Sequence, residues 1–322
     1  MGIAEYWVHA LFLRLNCCAN DRTRVSEMGA QKQTTLKAPV QISGIGLHTG
    51  EECRLVINPR SENSGISFIR VGVGGTQSPL INADPVNVVR ACHGTTLANT
   101  DGVSIATVEH VMAALAICSI DNAIIEVSGP EIPILDGSAA PFVEHIRHAG
   151  VVTQSATREV IVVESSIAVV DGDRSIEIEP SEKFQLSVEI DFEDCLIGRQ
   201  SMSIGFDDVE LMEQLARSRT FCRLYEVEAL RAQNLIRGGS LENSIVVDGS
   251  KMLNNDNLRD PNEFVLHKAL DLIGDLYLLG APIQGRIRAN KPGHDLNTRA
   301  ALAISHGQAV GVSPVEQVAA LA

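Results

Sequence analysis

Short runs with alternating apolar and polar residues predict strands in the first part of the chain. The clearest run is 53–57, where every second side chain is apolar, as in a strand with one face on a core. The glycine-rich stretch 44–50 precedes it and predicts a corner in the sheet. Further strands are predicted at 40–42, 122–127, 159–170, 244–247 and 284–289.

Apolar residues spaced three and four positions apart predict helices between these strands. Val108, Val111, Met112 and Leu115 lie on one face of a helix over 107–117. Further helices are predicted at 140–149, 209–215, 226–234 and 262–279. The chain therefore belongs to the α+β class.

The order of strands followed by helices occurs twice, on either side of the polar run 153–158. We predict two similar domains, 31–153 and 159–310, each a β-sheet layered against helices. No sequence repeat proves a duplication, although the similar lengths of the two halves suggest one. Residues 1–30 are expected to be a disordered extension, or to precede a natural start at Met28, and 311–322 to be a C-terminal tail.

Charge and cysteine content exclude several classes of protein. The 322 residues carry a formal net charge of −14, which argues against binding to a nucleic-acid backbone. The 7 cysteines are scattered, so they form neither a disulfide framework nor a CxxC zinc pattern, and they indicate a reducing, cytoplasmic location. No apolar run is long enough to span a membrane.

The predicted helix 262–279 carries the strongest candidates for chemistry. It places His267, Asp271 and Asp275 at successive turns of one face. An imidazole and a carboxylate one turn apart can bind the same metal ion, and zinc accepts both kinds of donor. The alternative is an exposed pair of charged side chains, with Lys268 on the same wet face.

Two residues near the start of the helix 107–117 extend this site. His110 is a candidate third ligand, and Glu109 is a candidate general base beside a metal-bound water. The alternative is that Glu109 only stabilises the helix start, with Thr107 as the N-cap.

His294 follows Lys291, Pro292 and Gly293 in a predicted turn. A histidine in such a turn can stay protonated and stabilise an oxyanion or protonate a leaving amine, particularly if Asp275 pairs with it. The alternative is an ordinary surface histidine.

In order along the chain, these residues and their surroundings resemble one family, the UDP-3-O-acyl-N-acetylglucosamine deacetylases. This family acts at the committed step of lipid A synthesis in Gram-negative bacteria. The resemblance covers about 35–303. Its motifs are Thr35-Leu36-Lys37, Gly44-Ile45-Gly46-Leu47-His48-Thr49-Gly50, Thr107-Val108-Glu109-His110, Ile120-Asp121-Asn122, Pro130-Glu131-Ile132-Pro133-Ile134-Leu135-Asp136-Gly137-Ser138-Ala139, Arg219-Thr220-Phe221, Gly238-Gly239-Ser240, His267-Lys268 through Gly274-Asp275, and Gly293-His294.

The resemblance implies a metal centre. His110, His267 and Asp271 would bind Zn²⁺, and Glu109 would be the general base that activates the attacking water. Iron(II) suits the same ligand set nearly as well as zinc.

The resemblance also implies the remaining catalytic and substrate-binding roles. His294 would be the cationic acid, oriented by Asp275, and Thr220 would help to hold the oxyanion. Lys268 and Phe221 would contact the substrate.

The fold implied by the resemblance is two α+β domains with the active site in the cleft between them. A βαβ insert in the second domain would form an apolar passage for the fatty acyl chain, near 192–202. Phe192, Leu196 and Ile197 would line that passage, or they would only pack the small core of the insert.

The chain departs from the family pattern at three places. Cys222 and Arg223 stand where the family usually has Gly-Phe, and 193–195 lacks a common Asn-His-Pro. The stretch 92–96 also differs. None of these departures removes a proposed ligand, but they bear on acyl-chain length and substrate contacts.

The function implied is hydrolysis of the N-acetyl group of an acylated UDP-amino sugar, with release of acetate. The expected protein is a monomer that binds a small-molecule substrate and touches a membrane surface only transiently, through the acyl chain. One alternative is a non-catalytic nucleotide-sugar or lipid-binding protein with a structural metal, although no fourth ligand stands beside His110 or His267. The other is a zinc hydrolase that acts on a different acylated sugar nucleotide.

Overall fold

A computed structural model describes residues 31–73, 80–193, 196–205 and 208–309, with side chains as far as 306. The predicted extension 1–30 and the tail 311–322 lie outside the described residues. Among the described helices, none combines the length and the apolar character needed to cross a membrane.

Strands and helices alternate along both halves of the chain. The strands are β1 Lys32–Leu36, β2 Val40–Ile45, β3 Glu52–Pro59, β4 Ile66–Arg70, β5 Leu80–Asn82, β6 Val88–Arg90, β7 Thr96–Ala98, β8 Ser104–Ile105, β9 Ala123–Val127, β10 Val151–Thr157, β11 Ile161–Val162, β12 Ile167–Asp171, β13 Arg174–Glu179, β14 Gln185–Asp191, β15 Arg199–Ile204, β16 Phe221–Arg223, β17 Ile245–Asp248, β18 Lys251–Met252, β19 Ile283–Gln284 and β20 Arg286–Asn290. The helices are α1 Glu109–Ile117, α2 Ala140–Ala149, α3 Val209–Arg217, α4 Leu224–Ala232, α5 Glu263–Leu276 and α6 His294–Ala309, with short 3₁₀ turns at Pro85–Asn87 and Tyr277–Leu279.

Each half contains a five-stranded sheet of the same topology. The first sheet has the order β2-β3-β9-β4-β5 and the second has the order β12-β13-β20-β14-β15. In the first, β4 pairs with β9 in parallel and the other pairs are antiparallel. In the second, β14 pairs with β20 in parallel and the other pairs are again antiparallel. The prediction of two similar sheet-plus-helix units is confirmed.

The central strand of each sheet shows why the helices cover one face. In β9 the side chains of Ala123, Ile125 and Val127 are buried, and those between them are partly exposed. Strand β20 repeats the alternation with Ile287 and Ala289 buried. A strand with one apolar face must bury it against another layer, and α1 and α5 supply apolar surface for the two halves.

Helix α5 is buried along almost its whole length, and Lys268 is the one residue of this helix that is not buried. It packs against α1 from the first half and against α6 from the second. Gly274 permits the crossing with α1, because a Cβ atom added there would lie 2.1 Å from the backbone oxygen of Glu109. The two helices that carry the candidate ligands are therefore in close backbone contact.

The polar run predicted as a linker belongs to the first half. Residues 151–157 form β10, which pairs antiparallel with β1. The run reads as a linker because most of its side chains are at least partly exposed. Arg158, the last residue of the run, follows β10 and is buried. It joins the halves, with Nε 2.7 Å from Asp121 Oδ1 and Nη2 3.3 Å from the hydroxyl of Tyr277.

The prediction of a βαβ insert near 192–202 is wrong. The described residues of this segment lie in the hairpin between the antiparallel strands β14 and β15. Parallel strands need a crossover of a dozen or more residues, which this segment is too short to contain. The βαβ unit lies further along the chain, where β16 and β17 pair in parallel around α4.

Two local predictions also need correction. His294 does not lie in a turn but is the first residue of α6. Thr107 does not cap α1, because its hydroxyl donates to Glu131 Oε1 at 2.9 Å instead. Thr107 adopts a left-handed backbone conformation, with φ of 60°, which a β-branched residue adopts only when its surroundings enforce it.

Replacing Gly274 with alanine should destabilise the protein and disturb the site together. The added methyl group must push α1 away from α5, and overpacking of this kind costs about 1–3 kcal/mol or more. Denaturant unfolding and metal titration of Gly274→Ala would measure both effects. The control is Gly205→Ala, where the added Cβ contacts nothing; equal stability of the two variants would contradict the role given to this crossing.

Candidate metal centre and catalytic cleft

Two helices bring three candidate ligands to one point between the halves. His110 lies at the start of α1, and His267 and Asp271 lie one turn apart on α5. The Nε2 atoms of His110 and His267 are 3.8 Å and 3.4 Å from Asp271 Oδ1. All three residues are buried, so the alternative of an exposed charge pair does not hold.

The protonation of these residues suits a metal ion. His267 Nδ1 lies 3.1 Å from the carbonyl oxygen of Ser218, which can only accept a hydrogen bond, so Nε2 carries the free lone pair. Burial lowers the pKa of His110, and it lowers the pKa of His267 to about 3. Both imidazoles are therefore neutral, as metal binding requires.

Asp271 has one oxygen with a partner and one without. Lys268 Nζ donates to Oδ2 at 2.9 Å. Oδ1 is buried and has no hydrogen-bond partner among the described residues. Burial alone would raise the pKa of Asp271, but the neighbouring His267 and Lys268 outweigh it and hold the pKa below its usual value. A buried carboxylate oxygen without a donor is costly unless a cation meets it, so the site fits a metal ion.

Glu109 lies directly beside the ligand set on α1. Its Oε2 accepts a hydrogen bond from the backbone N–H of Thr95 at 2.9 Å. Burial raises the pKa of Glu109 to about 7, because the ionised form is poorly solvated. A carboxylate with a pKa near neutrality is suited to accept a proton from water.

His294 and Asp275 form a second pair on the same cleft. His294 Nδ1 lies 2.9 Å from Asp275 Oδ2, and Asn297 Nδ2 donates to the same oxygen at 2.9 Å. Burial opposes the charged form of His294, but the carboxylates of Asp275, Glu109 and Asp271 outweigh it and raise its pKa to about 9. The imidazole is therefore a cation at neutral pH, although it lies at the N-terminus of α6, where the helix dipole disfavours a positive charge.

Glu131, for which no role was predicted, organises the glycine-rich corner. Its carboxylate accepts hydrogen bonds from the backbone N–H groups of His48 and Thr49 and from the hydroxyls of Thr49 and Thr107. Gly46 leaves room for it, because a Cβ atom there would lie 2.4 Å from Glu131 Oε2. A glutamate between two prolines in an otherwise apolar motif is the signal that could have indicated this role.

The remaining candidates lie around the ring of Phe221, beside the metal ligands. Phe221 contacts Phe192, Phe264 and His267 edge-on, with ring centroids 5.7, 5.0 and 6.2 Å away. Lys268 Nζ lies 5.5 Å from the centre of the Phe221 ring. Thr220, Phe221 and Lys268 line the cleft with the ligands.

The cleft has a volume of about 770 Å³ and extends from the metal ligands into the βαβ unit. In and next to the βαβ unit, an apolar arm of the cleft is lined by Leu224, Val227, Leu230, Ile236, Val246 and Leu253, with the charged Glu226 and Arg231 beside them. Phe192, Leu196 and Ile197 are not among the described residues that line it. Ile197 is buried in the main hydrophobic core, and Phe192 and Leu196 pack against that core.

Comparison with known proteins identifies the family. A family model described as UDP-3-O-acyl N-acetylglycosamine deacetylase matches residues 33–306. The chain belongs to this deacetylase family. Its relatives include UDP-3-O-acyl-N-acetylglucosamine deacetylases from three bacteria. The enzyme from Phenylobacterium zucineum is 45% identical over 82% of this chain and 90% of its own length, and that from Myxococcus xanthus is 46% identical over 82% of this chain and 83% of its own length. The enzyme from Haemophilus influenzae is 42% identical over 86% of this chain and 91% of its own length. Deacetylases of this family are metalloenzymes, as the motifs implied.

Replacing His267 with alanine should abolish tight metal binding. Losing a residue that merely orients a ligand already weakens metal binding about 10- to 100-fold, so the loss of a ligand should exceed that. Metal content after dialysis, measured by atomic emission, tests this expectation. His148→Ala, at an exposed histidine of α2, is the matched control; one equivalent of metal retained by His267→Ala would contradict the assignment.

Proposed function

We propose that this protein is a zinc-dependent amidohydrolase that removes the N-acetyl group of UDP-3-O-acyl-N-acetylglucosamine, the committed step of lipid A biosynthesis. The observation that carries the proposal is the buried set of His110, His267 and Asp271, with Glu109 and His294 beside it. The names of the relatives support the substrate. Release of acetate from this substrate by the purified protein is the direct test, and binding without turnover would favour a non-catalytic sugar-nucleotide-binding protein.

His110, His267 and Asp271 would hold the metal through two nitrogens and one oxygen. This donor set suits Zn²⁺, and also Fe²⁺, so the metal found in the purified protein decides between them. Bound there, the ion would supply Lewis acidity toward the acetamide carbonyl and the attacking water.

The residues around the metal ligands supply the proton transfers. Glu109 accepts a proton from the water whose oxygen bonds to the acetamide carbon. His294, held protonated by Asp275, donates a proton to the nitrogen as the carbon–nitrogen bond breaks. The products are acetate and the free amine. Thr220 also lines the cleft, and in this proposal it stabilises the developing oxyanion.

The apolar arm of the cleft is the proposed site for the acyl chain. It lies within the βαβ unit, between α4 and β17, and replaces the predicted location at 192–202. Lys268 and Arg174 also line the cleft, and these cationic side chains are the proposed contacts for the diphosphate of the substrate. Arg174 also pairs with Asp295, with Nη2 2.7 Å from Oδ1.

A cytoplasmic location and transient membrane contact through the acyl chain remain part of the proposal. The described cysteines, Cys53, Cys92, Cys118 and Cys222, are free thiols, which supports a reducing compartment. A monomer stays a prediction that sedimentation would check.

The pH dependence of kcat/KM should be bell-shaped. Glu109 must be ionised and its pKa is raised to about 7, so activity should rise through this value. His294 must be protonated and its pKa is raised to about 9, so activity should fall above that value. Asp275→Asn removes a carboxylate that raises the pKa of His294, and should therefore move the alkaline limb to lower pH. A flat profile from about pH 5 to 9 would contradict both roles.

Filling the apolar arm should change the acyl length that the enzyme accepts. In Val227→Trp the larger ring occupies space that the distal carbons of the chain need. We expect kcat/KM for long-chain substrates to fall about tenfold or more, and for short-chain substrates to stay within about twofold. Ala229→Trp adds the same ring at an exposed position of α4 that is not among the lining residues. Equal losses for both chain lengths would contradict the proposed site.

A further inference from the structure

Thr95 is a buried residue that hydrogen-bonds two groups with opposite roles in the proposed reaction. It has no exposed surface and lies directly before β7. Its backbone N–H donates to Glu109 Oε2 at 2.9 Å, and its hydroxyl donates to Asp275 Oδ1 at 2.6 Å. Asp275 is 180 positions away along the chain, so this contact also joins the two halves.

The hydroxyl of Thr95 completes the set of donors around the Asp275 carboxylate. A carboxylate accepts hydrogen bonds, so the hydroxyl is the donor. The other oxygen, Oδ2, meets His294 Nδ1 and Asn297 Nδ2, each at 2.9 Å. The hydroxyl oxygen also lies 3.4 Å from His294 Nδ1. With donors on both oxygens, the carboxylate has one favoured rotation, and that rotation aims Oδ2 at His294.

The backbone of Thr95 fixes the base at the same time. Its carbonyl oxygen accepts a hydrogen bond from the N–H of Val108 at 3.2 Å, next to Glu109. The segment before β7 is therefore tied both to the start of α1 and to the carboxylate of its first residue. A shift of Thr95 would move Glu109 and Asp275 relative to each other.

We propose that Thr95 is a positioning residue that holds the general base and the general acid in register. Its N–H orients Glu109, and its hydroxyl locks the Asp275 carboxylate that orients His294. This inference rests on the proposed function for the roles of Glu109 and His294. Thr95 is not among the described residues that line the cleft, so its effect on turnover runs through those two side chains.

Thr95→Val is the variant that tests this role, because valine keeps the shape of threonine and lacks the hydroxyl. We expect kcat to fall about tenfold or more, with KM and zinc content unchanged. Thr95→Ser restores the hydroxyl and should recover most of the activity. Thr96→Val is the matched control, since the Thr96 hydroxyl is buried and has no partner among the described residues; it should turn over like the wild type.

A double variant separates positioning from general damage to the fold. Without the acid, the hydroxyl has nothing to orient, so adding Thr95→Val to His294→Ala should reduce kcat less than about twofold further. Unchanged kcat in Thr95→Val alone, or a full tenfold further loss on the His294→Ala background, would overturn the inference.

A spectroscopic measurement decides the inference independently of turnover. In zinc-loaded protein labelled with ¹⁵N-histidine, the Nδ1–H proton of His294 should resonate downfield and should disappear in His294→Ala. We expect this signal to move or broaden in Thr95→Val and to stay in place in Thr95→Ser and Thr96→Val. The same signal in all three variants would overturn the inference, whereas a wild-type protein that releases no acetate would overturn the proposed function instead.

Discussion

The close crossing of α1 and α5 is the constraint on which the site depends. Gly274 brings the backbone of α5 against Glu109, and this contact places His110 beside His267 and Asp271. Burial of the crossing then determines the chemistry, because loss of water keeps both imidazoles neutral and raises the pKa of Glu109. Geometry and electrostatics of the site therefore have one common cause, the exclusion of water from two packed helices.

Ionisable groups in this buried space have sharply different properties, although they lie only a few ångströms apart. His267 has a depressed pKa because burial dominates, whereas His294 has an elevated pKa because carboxylates surround it. Such divergence allows neighbouring histidines to serve as a metal ligand and as a cationic acid. The carboxylates divide in the same way, since Asp271 has a lowered pKa and Glu109 a raised one.

Local sequence patterns predicted the features that depend on residues close together along the chain. The helical spacing placed His267, Asp271 and Asp275 on one face, and the alternation of apolar residues indicated the strands. Contacts between distant segments were not predictable in this way, because periodicity carries no information on them. Thr95 meets Asp275 across 180 positions, and the apolar arm forms around α4 and not near 192–202. The position of His294 at a helix start was also missed, since the glycine and proline before it are equally typical of a turn.

The matching topology of the two sheets has an evolutionary consequence. Two units with the same strand order, whose helices α1 and α5 pack against each other, are what duplication of one ancestral unit produces. Neither unit holds a complete ligand set, since His110 comes from the first, and His267 and Asp271 from the second. One unit alone therefore carries the fold but not the whole candidate site. The proposed chemistry therefore depends on differences between the two units, since the proposed base, Glu109, belongs to the first and the proposed acid, His294, to the second.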